Sequence, residues 1–239
     1  MPELRFPPRQ SPAWRHAQVL CPQDGHARTI APRAVPAHLA VTPDIAAAAR
    51  KLQLQAYSDF LKGESAFDTN DVADASLLRF LDREEQLEPL VAWLRAEGLV
   101  GPDYDLDAMW LAAHEVGFHT DPCHAFSSAS LVWQVAGPVR SVEFPQVGQA
   151  YLLGPGSTLM FDGAAPHGVR LLQFLTQPFE DVSAVCCPPA AADDIVVYLA
   201  VELPWTPQLE TALGVGRVAE EDACEYHVDP CTGGMARSC

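Results

Sequence analysis

From about residue 106 to residue 203, short runs of apolar and β-branched residues alternate with glycine and proline turns. Typical runs are "SASLVWQVAGP", "VRSVEFP", "AYLLGPG", "STLMFDG" and "DDIVVYLAVELP". Short strands at this spacing, separated by turn residues, are typical of all-β sandwiches and barrels. The pattern therefore predicts a β-rich core in the second half of the chain.

The segment before this core predicts helices. Thr42-Pro43-Asp44 combines a helix N-cap, a proline in the first turn and an acidic residue, so a helix should run from there to Gly63. Residues 74–98 have roughly helical apolar spacing, with a kink or break at Pro89 and an end at Gly98. The fold class predicted is α+β, with a helical N-terminal layer packed on a barrel.

The predicted boundary lies between residues 105 and 106. Residues 1–105 would form an extended segment and bracing helices, and residues 106–239 the core with a cysteine-containing tail. A chain of 239 residues supports one sizeable core, so both parts should form one structural domain.

Composition and charge narrow the classes of partner. The formal net charge of −16 disfavours nucleic acid, because an acidic surface repels phosphate. No apolar run reaches the roughly 18 residues that a membrane span needs. The N-terminus lacks an apolar signal region, which predicts a cytoplasmic protein. Seven cysteines without an export signal argue against a disulfide framework.

The segment "FHTDPCH", residues 118–124, contains a candidate metal-binding pair. On a strand, residues i and i+2 project to the same face, so His119 and Asp121 could chelate one ion. A third ligand must then come from elsewhere in the chain. The simpler interpretation is a histidine at a strand end, hydrogen-bonded to the neighbouring aspartate.

The downstream segment "GPGSTLMFDGAAPHGV", residues 154–169, adds a glycine turn, an apolar strand, an F-D-G turn and Pro-His-Gly. Together the two segments resemble the Fe(II)- and 2-oxoglutarate-dependent oxygenases of the double-stranded β-helix (jelly-roll, cupin-like) fold. The resemblance covers residues 106–203. It implies that His119, Asp121 and His167, which is 48 residues after His119, bind Fe(II). It also implies that 2-oxoglutarate and O₂ are co-substrates and that, with a carboxylate at position 121, the reaction is a hydroxylation or a related oxidation.

The sequence departs from that family where a basic residue normally binds the far carboxylate of 2-oxoglutarate. The segment after His167, "LLQFLTQPFEDVSAVCC", has no lysine or arginine. Two arginines could substitute. Strand parity would point Arg170 away from the metal unless a bulge intervenes. Arg140 lies on a strand after the H-x-D motif, as in the jumonji-type branch of the family, and is favoured.

The function predicted is therefore an iron- and 2-oxoglutarate-dependent oxygenase acting on an amino acid, another small molecule or a peptide. Two alternatives stay open. The first is a cupin-like metal-dependent dioxygenase or isomerase that does not use 2-oxoglutarate, which the missing downstream basic residue favours. The second is a non-enzymatic jelly-roll domain that binds or senses a ligand.

Two other histidine motifs are weaker. "HEVGFH", residues 114–119, has one residue too many for a helical zinc motif, so His114 is interpreted as a packing or outer-shell residue. The H-x-D-P-C pattern recurs as "HVDPC", residues 227–231, without a predicted strand around it. The cysteines of this tail could bind zinc, form a disulfide, or belong to a loosely packed end.

Overall fold

The computed structural model of the protein describes residues 3–5, 19–20, 28–29, 31, 33–62, 77–80, 87–105, 108–119, 128–145, 147–165, 167–172, 189–216, 225–228 and 235–238. Within these ranges the chain forms fifteen strands, three α-helices and one short 3-10 turn.

The strands fall into three groups along the sequence. Five precede residue 106: β1 (Glu3–Arg5), β2 (Val19–Leu20), β3 (Arg28–Thr29), β4 (Val35–His38) and β5 (Leu77–Phe80). Eight follow in close succession: β6 (Ala108–Ala113), β7 (Val116–His119), β8 (Ser128–Ala136), β9 (Arg140–Phe144), β10 (Gln149–Leu153), β11 (Ser157–Phe161), β12 (His167–Arg170) and β13 (Val196–Pro204). The last two are β14 (Glu225–Val228) and β15 (Met235–Ser238).

Two antiparallel sheets dominate the fold. The large sheet has the strand order β4-β11-β8-β13-β6-β5, and the small sheet has the order β1-β10-β9-β12-β7. The strands predicted after residue 106 therefore exist and pair as an antiparallel β-core. Strands from the first 105 residues extend both sheets, since β1 pairs with β10, β4 with β11 and β5 with β6.

The large sheet packs on both faces, in two separate apolar layers. One face packs against α1 (Pro43–Leu61), α2 (Glu88–Ala96) and α3 (Pro207–Leu213), through Leu131 and Trp133 among others. The other face meets the small sheet, where Leu159 and Phe161 join Phe144 and Tyr151 in a second cluster. This double burial explains why β13, "VVYLAVELP", is nearly continuous in apolar residues.

The predicted start of helix α1 is confirmed. The Thr42 side chain accepts a hydrogen bond from the Ile45 N–H at 3.3 Å, and Pro43 occupies the first turn. The helix extends to Leu61, and the predicted glycine stop, Gly63, lies outside the described residues. Among the helices of the described residues, none is both long and apolar enough to cross a membrane.

The prediction of helix throughout residues 74–98 was wrong in its first half. Leu77–Phe80 forms strand β5 and pairs with β6, and α2 begins only at Glu88. Pro89 lies in the first turn of α2 and does not kink it. Pairing with the free edge of β6 supplies main-chain hydrogen bonds that outweigh the weak helical preference of an apolar run.

Candidate functional site

The two predicted ligand histidines occupy opposite positions on neighbouring strands. His119 is the last residue of β7, His167 is the first residue of β12, and the two are register partners in the antiparallel pair. Directly opposite positions of such a pair share one face of the sheet. The register then shifts, so that Val169 pairs with Val116. Residues 48 positions apart in the sequence are thus brought to one place at the end of the small sheet.

The turn before β12 fixes the approach to His167. The Asp162 carboxylate is fully buried and accepts hydrogen bonds from the Ala164 N–H at 3.1 Å and the Ala31 N–H at 2.9 Å. The Ala165 N–H also binds the Asp162 carbonyl at 2.9 Å. This explains the F-D-G sequence, because a short acidic side chain readily bonds the main chain just after it.

His167 itself is buried, with only 6% of its surface exposed. Its Nδ1 lies 2.8 Å from the Ala165 carbonyl oxygen and must donate a proton to it. The Nε2 of the neutral ring is then the nitrogen that carries a lone pair. The ring packs edge-on against Phe161, with centroids 4.6 Å apart, and lies 6.2 Å from the ring of Phe144. His167 therefore faces the space between the two sheets.

The third predicted ligand, Asp121, lies outside the described residues, as do Cys123 and His124. Within the described ranges, no group of three or more His, Cys, Asp or Glu side chains is arranged to hold a metal ion. The structure thus brings together two of the three predicted ligand positions. The strand pairing places the backbones of His119 and His167 side by side, and the His167 side chain faces the space between the sheets.

Arg140, the favoured carboxylate anchor, begins β9 and is buried at the far end of the inter-sheet space, which we call the closed end. Its Nε donates to the His114 carbonyl at 3.1 Å, and one terminal nitrogen donates to the Asp194 carbonyl at 2.6 Å. The other terminal nitrogen reaches the Val139 carbonyl at 3.4 Å. The guanidinium therefore ties together the ends of three strands, β6, β9 and β13.

Three further polar side chains lie at the closed end. Tyr198 and Gln134 are register partners on β13 and β8, and His114 follows β6. The Tyr198 hydroxyl, the Gln134 Oε1 and the His114 Nε2 are buried without a hydrogen-bond partner in the described part of the chain. We call Arg140, Tyr198, Gln134 and His114 the closed-end cluster.

Burial dominates the electrostatics of this cluster. Burial lowers the pKa of Arg140 below its ordinary value, opposed by the nearby Tyr198, Glu115 and Asp194. Burial also raises the pKa of Tyr198, although the Arg140 charge lowers it in part, so the phenol stays protonated at neutral pH. The cluster therefore combines one guanidinium with a neutral hydroxyl that can donate.

Arg170, the other candidate anchor, lies on the opposite face of β12 from His167. Its guanidinium contacts Glu143 at 3.8 Å, and Ser141 bonds both the Glu143 carboxylate, at 3.2 Å, and the Arg170 carbonyl, at 3.4 Å. Strand parity places Arg170 and Glu143 together on the outer face of the small sheet. Both side chains are buried there. The structure therefore does not bring Arg170 together with His167.

The end of the inter-sheet space nearest His167, which we call the open end, differs in exposure. On the large sheet, the inner-face residues Ser130, Val132, Ala200 and Glu202 are partly exposed. At the closed end, Gln134 and Tyr198 on the same face are buried, with 0% and 3% exposed. Among the described residues, the inner face of the large sheet is therefore more exposed at the end nearest His167 than at the closed end.

Sequence reasoning missed the closed-end cluster, apart from Arg140, and the residues of the open end. The available signal was a polar residue within an apolar strand: Gln134 in "LVWQVA" and Tyr198 in "VVYLAV". His114 was interpreted as a packing residue, and its burial agrees with that.

The C-terminal tail corrects a smaller prediction. The second H-x-D-P-C copy was expected to have no strand around it, but His227 lies in β14, which forms an antiparallel hairpin with β15. Pairing with β15, some ten residues further on, was not visible in the local pattern. Cys224, Cys231 and Cys239 lie outside the described residues, so the zinc and disulfide interpretations stay predictions.

Comparison with known proteins gives only distant similarity. No family model and no curated protein matches the chain. Among solved structures, a Pseudomonas putida prolyl-4-hydroxylase is 12% identical with a TM-score of 0.37, covering 72% of this chain and 93% of that one. AviO1 from Streptomyces viridochromogenes Tue57 is 14% identical with a TM-score of 0.39, covering 73% and 91%.

A third similar structure is an oxidoreductase of the 2OG-Fe(II) oxygenase family from Burkholderia pseudomallei. It is 13% identical with a TM-score of 0.36, covering 85% of this chain and 96% of that one. All three TM-scores lie below 0.5, so this likeness establishes neither a shared fold nor a shared activity for the chain.

Proposed function

We propose that the protein is an Fe(II)- and 2-oxoglutarate-dependent oxygenase with iron bound by His119, Asp121 and His167. The observation that carries the proposal is the direct pairing of His119 with His167 at adjoining strand ends. Two histidines and one carboxylate form the ligand set of non-haem Fe(II) oxygenases, which leaves open positions for co-substrates. Asp121, two residues after His119, supplies the carboxylate in this proposal.

The environment of His167 fits a metal ligand. A ligating histidine usually donates its other ring N–H to a carbonyl or carboxylate, which orients the ring and fixes its tautomer. The 2.8 Å bond from Nδ1 to the Ala165 carbonyl has this form. The rings of Phe161 and Phe144 shield the imidazole from water on the sides they cover. The nitrogen that would bind the metal is therefore Nε2.

We further propose that β6 to β13 form a double-stranded β-helix. Within the large sheet the neighbouring order is β6-β13-β8-β11, and within the small sheet it is β7-β12-β9-β10. Eight antiparallel strands divided evenly between two facing sheets are typical of jelly rolls. In this arrangement the adjoining ends of β7 and β12 lie at the mouth of the barrel, where a ligand can enter.

Of the two candidate arginines, we propose Arg140 as the group that holds the far carboxylate of 2-oxoglutarate. Arg140 and Val142 alternate with Ser141 and Glu143 on β9, and Val142 belongs to the inter-sheet core. Arg140 therefore shares the inter-sheet space with His167. Its described contacts use at most four of its five N–H groups. The neighbouring Tyr198 hydroxyl would supply a second donor to the carboxylate.

With iron bound, such a site couples oxidation of 2-oxoglutarate to succinate and CO₂ with insertion of oxygen into a substrate. The residues of this chain would hold both molecules near His167 and keep water out through the aromatic walls. We propose a small molecule, an amino acid or a peptide as substrate, since the described inner-face residues are buried at the closed end and partly exposed at the open end.

The alternative is a cupin-like metal-dependent dioxygenase or isomerase that does not use 2-oxoglutarate. One observation favours it: the Arg140 guanidinium already binds the carbonyls of His114 and Asp194. An arginine that ties strands together in this way has less capacity to hold a carboxylate.

The deciding experiment is an anaerobic titration with Fe(II) and then 2-oxoglutarate, followed by measurement of succinate after O₂ is admitted. We expect stoichiometric Fe(II) binding, a weak visible absorption band with 2-oxoglutarate, and slow succinate release without substrate. His167→Ala and Asp121→Ala should each weaken Fe(II) binding by roughly 100-fold or more, since each removes one of three ligands.

The matched control is His38→Ala, because His38 is an exposed histidine on the edge strand β4. It should leave the Fe(II) affinity unchanged. Fe(II) binding without the visible band or succinate would favour the cupin-like alternative. Equal Fe(II) affinity in wild type and His167→Ala would contradict both.

A further inference from the structure

The open end of the inter-sheet space contains a carboxylate on its inner wall. On β13, Val196 and Tyr198 belong to the inter-sheet core, so the alternation of the strand places Ala200 and Glu202 on the same face. A contact supports this placement: the Ser128 hydroxyl lies 3.2 Å from Oε2 of Glu202. Glu202 is therefore a partly exposed acid that faces the small sheet.

Glu202 also lies level with His167. Ser130 on β8 is the register partner of Glu202 on one side and of Phe161 on the other. Phe161 is the residue whose ring packs against His167 at 4.6 Å. Because neighbouring strands are about 4.8 Å apart, Glu202 lies about 10 Å from Phe161 along one row of the sheet. The carboxylate and the His167 ring thus border the same mouth.

The described polar groups of the large sheet at the open end are one carboxylate and two hydroxyl groups. Ser128 and Ser130 flank Glu202, while Val132 and Ala200 make the rest of this inner face apolar. A carboxylate supported by hydroxyl groups binds ammonium and guanidinium groups through charge-assisted hydrogen bonds. The net charge of −16 would also draw cations towards the mouth.

We propose that the substrate carries a cationic group, a primary ammonium or a guanidinium, and that Glu202 is the residue that selects for it. The inference rests on the proposed function, since it takes His167 as the centre of the reaction. Glu202 would bind the charged end of a basic small molecule or of a lysine or arginine side chain. An apolar part of the substrate would then extend along Val132 and Ala200 towards His167.

The test compares pairs of probes that differ in charge: L-lysine with L-norleucine, and L-arginine with L-citrulline. Binding is measured by isothermal titration calorimetry, both on metal-free protein and on anaerobic protein with Fe(II) and 2-oxoglutarate. We expect the cationic member of each pair to bind wild type at least ten times more tightly. Glu202→Gln should remove most of that preference, and Glu202→Asp should keep part of it.

The control is Glu97→Gln, which removes an exposed carboxylate at the end of α2 and should keep the preference. Succinate release without substrate should be the same in Glu97→Gln as in wild type. Cationic probes that do not bind, that bind no better than their neutral partners, or that keep their preference in Glu202→Gln would overturn this proposal. Loss of Fe(II) binding or succinate release in wild type would instead overturn the proposed function, and binding to metal-free protein would still measure the preference.

Discussion

Each end of the inter-sheet space contains a charged side chain, but the two side chains differ in burial and in hydrogen bonding. At the closed end, the charge of Arg140 is buried and bound to the carbonyls of His114 and Asp194. At the open end, the charge of Glu202 is partly exposed and has hydroxyl groups beside it. The first arrangement joins strand ends of both sheets, whereas the second leaves a charged group accessible to solvent.

This difference shows that the closed end contributes to stability in a way that the open end does not. Main-chain carbonyls at strand ends must be satisfied when they are buried, and Arg140 satisfies two of them across three strands. His167 lies at the other end, where its ring donates a hydrogen bond to the nearby Ala165 carbonyl. Substitutions at the closed end should therefore act on stability and, through Arg140 and Tyr198, on 2-oxoglutarate binding as proposed, whereas substitutions at the open end should act mainly on substrate binding.

The largest predicted effect comes from Gly137, in the turn between β8 and β9 at the closed end. Its φ is +94°, and a Cβ there would lie 2.5 Å from the Ile195 carbonyl oxygen and 2.6 Å from the Val196 Cα. Gly137→Ala should lower the free energy of unfolding by about 3 kcal/mol or more, because both neighbours are main-chain atoms. Urea denaturation followed by circular dichroism measures this loss.

The control for that prediction is Gly98→Ala, after α2. Gly98 also has a positive φ, of +67°, but a Cβ there would meet nothing within 4 Å. Gly98→Ala should lower the free energy of unfolding by about 1 kcal/mol, because only the unfavourable positive φ contributes. Equal losses for the two variants would show that the closed end is not tightly packed, and would break the contrast between the two ends.

Much of the fold followed from local pattern. Strand alternation after residue 106 predicted the β-core, and Thr42 with Pro43 predicted the start of α1, because capping and period are local properties. Parity also anticipated that Arg170 faces away from His167. The structure pairs His119 with His167, whereas Asp121 lies outside the described residues, so the predicted ligand set stays a prediction.

The parts that sequence could not supply depend on distant partners. Strand β5 exists because β6 offers a free edge, and β14 because β15 follows it. The bonds of Arg140 to carbonyls of residues 114 and 194 join segments 80 residues apart in the chain, and carbonyls carry no side-chain signature. Nothing in the local sequence marks Glu202, because only its register with Ser130 and Phe161 brings it level with His167.

A smaller effect is predicted for Tyr198, in the closed-end cluster. Its hydroxyl is buried without a partner in the described residues, and such a group costs about 1–3 kcal/mol. Tyr198→Phe should therefore raise the unfolding free energy of the ligand-free protein by about 1 kcal/mol. If the hydroxyl donates to 2-oxoglutarate as proposed, the same variant should weaken 2-oxoglutarate binding roughly tenfold.

Tyr151→Phe is the matched control. The Tyr151 hydroxyl lies 3.4 Å from the Ala34 carbonyl and 3.3 Å from the Gln149 side chain, so its removal should lower stability by about 0.5–1 kcal/mol. It should not change 2-oxoglutarate binding. If Tyr198→Phe is more stable than wild type but binds 2-oxoglutarate equally well, the Tyr198 hydroxyl does not bind the co-substrate. That result would weaken the case for Arg140 as the group that holds its carboxylate.

The smallest effect concerns pH and His114. Burial lowers the pKa of His114, and the Arg140 charge lowers it further, against the raising effect of the hydrogen bond to the Asp194 carbonyl. Between that lowered value and the ordinary value of 6.5, the unfolded chain binds more protons than the folded one. The His114 contribution to stability is therefore complete above pH 6.5 and is lost as the pH falls through the lowered pKa.

The unfolding free energy of wild type should accordingly fall more steeply below pH 6.5 than that of His114→Gln, which cannot titrate at this position. Urea denaturation of metal-free protein at pH 7.5, 6.5 and 5.5 tests the difference, since both proteins share their carboxylates and their other histidines. Parallel pH profiles would mean that the closed end accepts a second positive charge beside Arg140 at no cost. In that case solvent reaches the cluster, and the two ends of the inter-sheet space are less different than their burial indicates.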